Sequence, residues 1–294
     1  MTNNNNNRDC PSCQSCEAKK LGNKNGFQIS VCRHCQTLYT ARLPNLDEAE
    51  NYDNYYSEEN LQVPEFIHQR LHEIFADFSR HRQTNRWLDV GFGAGSILKI
   101  AAELDWEVFG VEVSKPAVEQ ARKRNFDVFH GDLIEANYPD NYFDVVTASE
   151  IIEHLSEPQK LLNEIERILR PDGLFWATTP SAKGISYRLL GLDWTIIVPP
   201  EHIQIFSKKG MTGMLKKAGF SHINLRTHGT NPLEIINHFR LPNKERGIFS
   251  RVESGYDLNE NLEKGPVRKK IKSLLNQTLN LAQIGDSLKI YAQK

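Results

Sequence analysis

Cysteine is missing from this 294-residue chain after position 35. A disulfide framework of the kind that staples small secreted domains is therefore excluded for most of its length. Net charge is nearly missing too. Lys and Arg number 36 against 37 Asp and Glu, a balance of -1, so no global field recruits nucleic acid. No apolar run approaches the length of a membrane span, and the N-terminus lacks the apolar segment of a signal peptide. Internal repeats are absent as well. These absences leave a soluble, cytoplasmic protein as the expectation, long enough for one large domain or a large one with a small appendage. The opening run Met1-Thr-Asn-Asn-Asn-Asn-Asn-Arg8 is an asparagine tract, expected to be disordered.

The five cysteines that are present fall close together, at Cys10, Cys13, Cys16, Cys32 and Cys35. Cys10-Pro-Ser-Cys13 and Cys32-Arg-His-Cys35 form two Cys-x-x-Cys pairs with 18 residues between them. Two such knuckles supply the four thiolates that a structural Zn²⁺ takes in a tetrahedron. Residues 1–43 therefore read as the asparagine tract followed by a zinc ribbon, too small to fold without its metal. Cys16 also stands at knuckle spacing from Cys13. The Pro after Cys10 suits a tight knuckle turn, so Cys10 and Cys13 are the favoured ligands and Cys16 is spare. His34 is expected to be exposed.

Residues 44–84 read as an acidic, tyrosine-rich connector and a leading helix over 64–82, with Phe66, Ile67, Leu71, Ile74, Phe75 and Phe78 at helical spacing. From residue 85 to the C-terminus, strand and helix patterns alternate. Strands are predicted at Trp106–Val113, Asp127–His130, Tyr142–Ala148, Leu174–Thr178, His222–Thr227 and Ser287–Ala292. Helices are predicted at Lys115–Asn125, Glu157–Leu169 and Lys208–Ala218. This alternation predicts an α/β, doubly wound, mostly parallel seven-stranded sheet that binds its ligand at the carboxyl ends of the strands. Two insertions interrupt it. Residues 181–205 are apolar and aromatic and are expected to form a lid, and 231–285 are expected to be helical.

The first strand of this domain ends in Asp89-Val-Gly-Phe-Gly-Ala-Gly95. Gly91, Gly93 and Gly95 give a nucleotide-binding turn in which a ligand can approach the main chain. The spacing is not the Gly-x-Gly-x-x-Gly of dinucleotide sites. It points instead to S-adenosylmethionine, which brings no pyrophosphate to a helix N-terminus. The following strand ends supply an acid each: Glu112, Asp132 in Gly131-Asp132-Leu133, and Glu150 after Ser149. Glu112 is placed to accept ribose hydroxyls and Asp132 to accept from the adenine amino group.

Residues 85–180 resemble a class I S-adenosylmethionine-dependent methyltransferase, through the glycine turn, Glu112, Gly131-Asp132-Leu133, Phe143-Asp144-Val145-Val146 and Leu169-Arg-Pro-Asp-Gly173. His202-Ile-Gln-Ile-Phe-Ser207 with Leu215–Phe220 extends the likeness to about residue 227. The resemblance implies a Rossmann-like methyltransferase fold. It implies cofactor contacts from Asp89 (to the ammonium), Gly91, Phe92, Gly93, Gly95, Glu112, Val113, Asp132, Leu133, Ser149 and Glu150. With its N-terminal ribbon, the layout is similar to bacterial methyltransferases of glycoconjugate pathways.

Glu150-Ile-Ile-Glu153-His154 is expected to open a helix, with Glu150, Glu153 and His154 on one face where the acceptor approaches. It resembles the Glu-x-x-Glu-His of quinone and small-RNA O-methyltransferases, where it is a divalent-metal site. Two readings stand. The three side chains, with His202 as further ligand or base, hold Mg²⁺ or move a proton; or they are a hydrogen-bonded structural element of the pocket. Tyr187, Arg188 and Trp194 are candidates for substrate contact or for core. Val267-Arg-Lys-Lys-Ile271-Lys-Ser-Leu274-Leu275 is a basic helix that either touches a membrane surface or docks on its own domain. The expected activity is methylation of an oxygen on a small-molecule, sugar or lipid-linked acceptor. The alternatives are an rRNA methyltransferase, against which the net charge and the acidic connector speak, and a non-catalytic cofactor-binding module. The oligomeric state stays open.

Overall fold

The computed structural model describes residues 8–45, 65–240 and 266–294. The asparagine tract, most of the acidic connector and the middle of the 231–285 insertion lie outside the described residues. In chain order the elements are β1 (Ala18–Lys24), β2 (Phe27–Cys32), β3 (Leu38–Thr40), α1 (Glu65–Phe75), β4 (Arg86–Val90), α2 (Ser96–Glu103), β5 (Glu107–Glu112), α3 (Lys115–Lys123), β6 (Asp127–His130), β7 (Phe143–Ser149), α4 (Pro158–Ile168), β8 (Leu169–Pro180), α5 (Ile185–Leu190), β9 (Gln204–Ile205), α6 (Lys208–Ala218), β10 (Ser221–His228), α7 (Pro232–Arg240), α8 (Pro266–Leu281) and β11 (Ser287–Gln293). Among the described residues no helix is long and apolar enough to cross a membrane.

A seven-stranded sheet runs in the order β10-β11-β8-β7-β4-β5-β6, and β8, β7, β4, β5 and β6 are parallel. From β4 the chain builds outward through β5 and β6, then crosses back to place β7 and β8 on the other side. The strand order therefore reverses at β4, and the glycine turn follows this switch point, where open α/β sheets bind ligands. Local sequence explains the elements. β7 is buried along nearly all of Phe-Asp-Val-Val-Thr-Ala-Ser, as a central parallel strand requires. In α2 the buried positions Ile97, Leu98, Ile100 and Ala101 form one helical stripe. Pro158 opens α4, where the missing N–H costs nothing, and Leu161, Leu162, Ile165 and Ile168 bury its inner face.

Several boundaries differ from the sequence reading. The leading helix is an α-helix only to Phe75 and continues as a tighter 3-10 turn over Ala76–His81. β8 starts at Leu169, so the Pro171–Gly173 stretch lies within the strand, and its pairing with β7 shifts register between Phe143 and Val145. The largest change concerns residues 150–156, which form a turn instead of the first turn of a helix. Glu150 sits at φ 55, outside helical geometry, and no helix begins before Pro158.

The chain divides into two compact units. One comprises Asn45–Thr178, Thr212–Asn224 and Ile290–Lys294. Its core holds an aromatic knot in which Trp87 lies 5.1 Å from Phe75, 5.4 Å from Phe78 and 5.4 Å from Trp106, ring centre to ring centre. Near the amino ends of β4 and β7, the buried Asp144 accepts from the amides of Gln83, Thr84 and Asn85 at 2.8 Å each, and from Arg170. These bonds hold its carboxyl below the usual range against the cost of burial.

The other unit comprises Met1–Pro44, Thr179–Met211 and Leu225–Lys289. Here β1, β2 and β3 make an antiparallel ribbon sheet that β9 completes, with Leu38 opposite Ile205 and Tyr39 opposite Gln204. Phe27, Ile29 and Leu38 of the ribbon share one core with Ala182, Leu190, Trp194, Ile196, Ile197 and Ile205. Polar bonds reinforce it: Lys24 Nζ to the Leu192 carbonyl at 2.5 Å and Asn25 Nδ2 to the Pro199 carbonyl at 2.9 Å. Trp194 is thus a core residue, 2% exposed, while Tyr187 packs half-buried against the same core and Arg188 is exposed. α8 docks along β10 through Asn276 and Asn280, which accept from the amides of Gly229 and Thr227 at 3.0 Å, and through buried Leu279.

Candidate functional site

After β4 the three glycines take φ 65, 49 and 72 at Gly91, Gly93 and Gly95, a left-handed run that only glycine adopts without strain. Gly91 is required on a second count, because a Cβ there would lie 2.2 Å from Ile151 Cδ1. The Gly91 amide donates to the Val111 carbonyl at 2.8 Å, and the Gly93 amide to Glu112 Oε2 at 3.0 Å. Glu112 Oε1 accepts from the amides of Val113 and Ser114 at 2.8 and 2.9 Å. The buried carboxylate thus clamps the glycine turn to the end of β5. Three of its roughly four acceptor positions are used, which leaves about one for a ligand hydroxyl.

Asp89 is 2% exposed and its Oδ1 accepts from Thr147 Oγ1 at 2.7 Å. Burial pushes its carboxyl up to about 8; the Thr147 hydrogen bond opposes this and the nearby Glu112 charge adds to it. Asp132 is exposed and forms a reciprocal cap with Glu135: Glu135 N donates to Asp132 Oδ1 at 2.8 Å and Asp132 N to Glu135 Oε2 at 3.0 Å. Leu133 is buried, while Val113 and Ile134 stand 48% and 53% exposed. These last two leave apolar surface uncovered beside the strand ends. Phe92 lies in the core with Leu98, Ala117, Val118, Ala121 and Val128, packed over Gly110, where a Cβ would meet its ring at 2.6 Å. Ser149 Oγ bonds Thr178 Oγ1 at 2.8 Å.

In the turn after β7, Glu150 is exposed, Glu153 fully buried and His154 half-buried, with the His154 amide donating to the Ile151 carbonyl at 3.1 Å. The common helical face expected for these three does not form. His202 belongs to the other compact unit and is buried. Its Nδ1–H donates to the Ile196 carbonyl at 2.8 Å, and its Nε2 lies 3.8 Å from Glu201 Oε1. One group that sequence reading passed over is Thr147. Its signal was a lone hydroxyl in the otherwise apolar run Val145-Val146-Thr147-Ala148.

Cys10, Cys13, Cys32 and Cys35 converge, with sulfurs all within 4.8 Å of one another, and Cys16 is exposed away from them. Sγ separations are 3.4 Å for Cys10–Cys35 and 3.5 Å for Cys13–Cys32. A zinc tetrathiolate needs ~3.8 Å between neighbouring sulfurs, so little adjustment is required. The donor chemistry fits a dication. The Cys10 hydrogen bond, above all, pulls the Cys35 thiol down to about 4, and burial foremost pushes Cys13 up to about 11. Thiols this crowded ionise together only around a cation. The knuckle is also braced from residues 207–210: Ser207 Oγ donates to the Cys35 carbonyl, and Lys209 Nζ donates to the His34 carbonyl at 2.8 Å.

Comparison with known proteins bears on these sites. A family profile described as "Methyltransferase domain" matches residues 59–225. A Mycolicibacterium smegmatis protein named "Probable S-adenosylmethionine-dependent methyltransferase" is 32% identical over 154 residues, covering 51% of this chain and 58% of the relative. The 27-O-demethylrifamycin SV methyltransferase of Amycolatopsis mediterranei is 32% identical over 146 residues, 46% of this chain and 54% of the relative. The chain thus spans just over half the length of these two relatives. The crystal structure of a SAM-dependent methyltransferase from Archaeoglobus fulgidus superposes with a TM-score of 0.54 at 18% identity, covering 83% of this chain and all of that one. That likeness establishes the Rossmann-like methyltransferase fold.

Proposed function

The chain belongs to the methyltransferase-domain family, and from that premise we propose that it transfers the methyl group of S-adenosylmethionine to an oxygen of a small-molecule, sugar or lipid-linked acceptor. The observation that carries the cofactor is the triple-glycine turn at the switch point, clamped to the Glu112 carboxylate by the 3.0 Å bond from Gly93. Glu112 offers its remaining acceptor position to the ribose, and Asp89 pairs with the ammonium. Asp132 with Leu133 takes the adenine edge, and exposed Val113 covers the adenine face. The bound sulfonium supplies an already activated methyl group, so the protein's part is in-line positioning within about 3–3.5 Å and removal of the acceptor's proton.

For that proton the turn after β7 offers His154, next to buried Glu153, and His202, whose Nδ1 is held by the Ile196 carbonyl, is the second candidate base. The O-methyltransferase relatives support an oxygen acceptor, among them a ubiquinone biosynthesis O-methyltransferase of Paraburkholderia phymatum, 24% identical over 183 residues. Four thiolates hold a structural Zn²⁺ in the ribbon. The test is an acceptor panel read by S-adenosylhomocysteine formation. His154→Gln is expected to lower turnover about 10²-fold, the usual contribution of a general base, with cofactor affinity kept. Turnover unchanged in both His154→Gln and His202→Gln removes the proton-transfer assignment. Activity that is lost on chelation and restored by Mg²⁺ alone would replace it with metal assistance.

A further inference from the structure

Thr147 lies in the middle of β7 with its side chain fully buried, where its neighbours Val145, Val146 and Ala148 are apolar. Valine would fill the same volume without a hydroxyl to satisfy, and a buried hydroxyl without partners is costly. This hydroxyl has partners on both sides. The Trp87 indole Nε1–H donates to Thr147 Oγ1 at 3.0 Å, and Thr147 Oγ1 lies 2.7 Å from Asp89 Oδ1 and 3.3 Å from the Leu88 carbonyl. A hydroxyl has one proton, and the shorter contact to the carboxylate takes it once Asp89 is ionised. Trp87 cannot swing away, because Phe75, Phe78 and Trp106 pack around its ring. The direction of the hydroxyl is therefore set from the aromatic core outward.

We infer that Thr147 is a positioning residue that holds the Asp89 carboxylate, through Oδ1, in the one orientation that leaves Oδ2 for the cationic amino group of the ligand. The inference rests on the proposed S-adenosylmethionine site and deepens it. A carboxylate buried this far needs a donor to ionise, and Thr147 is the donor on β7. Among the described residues the charge facing Asp89 is Glu112 on β5. Asp144, the acid of β7, is engaged by Arg170 and the amides of residues 83–85. Losing the hydroxyl should therefore make ionisation of Asp89 harder and ligand binding more dependent on alkaline pH.

Calorimetric titration with S-adenosylhomocysteine between pH 6 and 9 tests this, with 5′-methylthioadenosine, which lacks the amino-acid moiety, as the comparison ligand. Thr147→Val is expected to bind S-adenosylhomocysteine ~10-fold more weakly at pH 7, the effect of about one pK unit, and to approach the wild type at pH 9. Affinity for methylthioadenosine should stay within twofold, and Thr147→Ser should restore the wild-type profile. A Thr147→Val profile that superposes on the wild type overturns the inference. So does an equal loss for both ligands, which would mark a merely structural residue. A wild-type protein that binds neither ligand fails at the cofactor reading itself, a different result from either.

Discussion

At the scale of the residue, Gly91 shows how little freedom the triple-glycine turn has. It needs a positive φ of 65, and any Cβ would overlap Ile151 Cδ1 at 2.2 Å. Gly91→Ala should thus displace Ile151 and strain the backbone by about 1–2 kcal/mol. The expected results are a cofactor affinity at least ~10-fold weaker by calorimetry and a melting temperature lower by a few degrees. Wild-type values for both would mean that the turn is not the binding element. Glu112 was legible in the sequence from its place at a strand end, but its three amide bonds were not. Spacing shows where an acid lies along a strand; only the folded turn brings the Gly93 amide to it. The same limit hid Thr147, whose partners Trp87 and Asp89 lie 60 and 58 residues away.

At the scale of the element, strands and helices with continuous apolar runs or clear stripes, such as β7 and α6, were readable in advance. The turn at 150–156 was not, because Glu150, Glu153 and His154 have helical spacing and only the left-handed φ of Glu150 breaks the pattern. β9 was missed for the opposite reason. It is two residues long, and it exists because Leu38 and Tyr39 offer it an edge. The four-cysteine cluster was readable from spacing, and its setting yields an element-scale prediction. Since Trp194 shares a core with Phe27, Ile29 and Leu38, a chelator that strips the proposed zinc should expose it. The indole emission should shift to the red, and Cys32→Ser should reproduce the shift, while Cys16→Ser should not. Equal effects of the two serine variants would contradict the assignment of the ligands.

At the scale of the whole molecule, buried acids set how stability follows pH. Asp89, raised to about 8 in the folded state, contributes stability that is complete below its ordinary range near 4 and is lost as pH rises through about 8. Asp286 is raised by burial and has the same sign. Asp144 is lowered, so its contribution holds above the ordinary carboxylate range and is lost on acidification. His81, lowered by burial, also favours the fold at higher pH and loses that contribution as pH falls. The melting temperature should therefore fall on the alkaline side, and Asp89→Asn should flatten that fall between pH 6 and 9 by several degrees, as scanning calorimetry can check. An unchanged slope would show that Asp89 ionises freely. The completed ribbon sheet also has a consequence for synthesis. β3 ends at Thr40 and its partner β9 begins at Gln204, so a ribosome moving at about 5–20 residues per second releases them roughly 10–30 s apart. On the proposed zinc reading, metal bound early by the four thiolates would hold the nascent ribbon through that interval and keep Phe27, Ile29 and Leu38 from neighbouring chains.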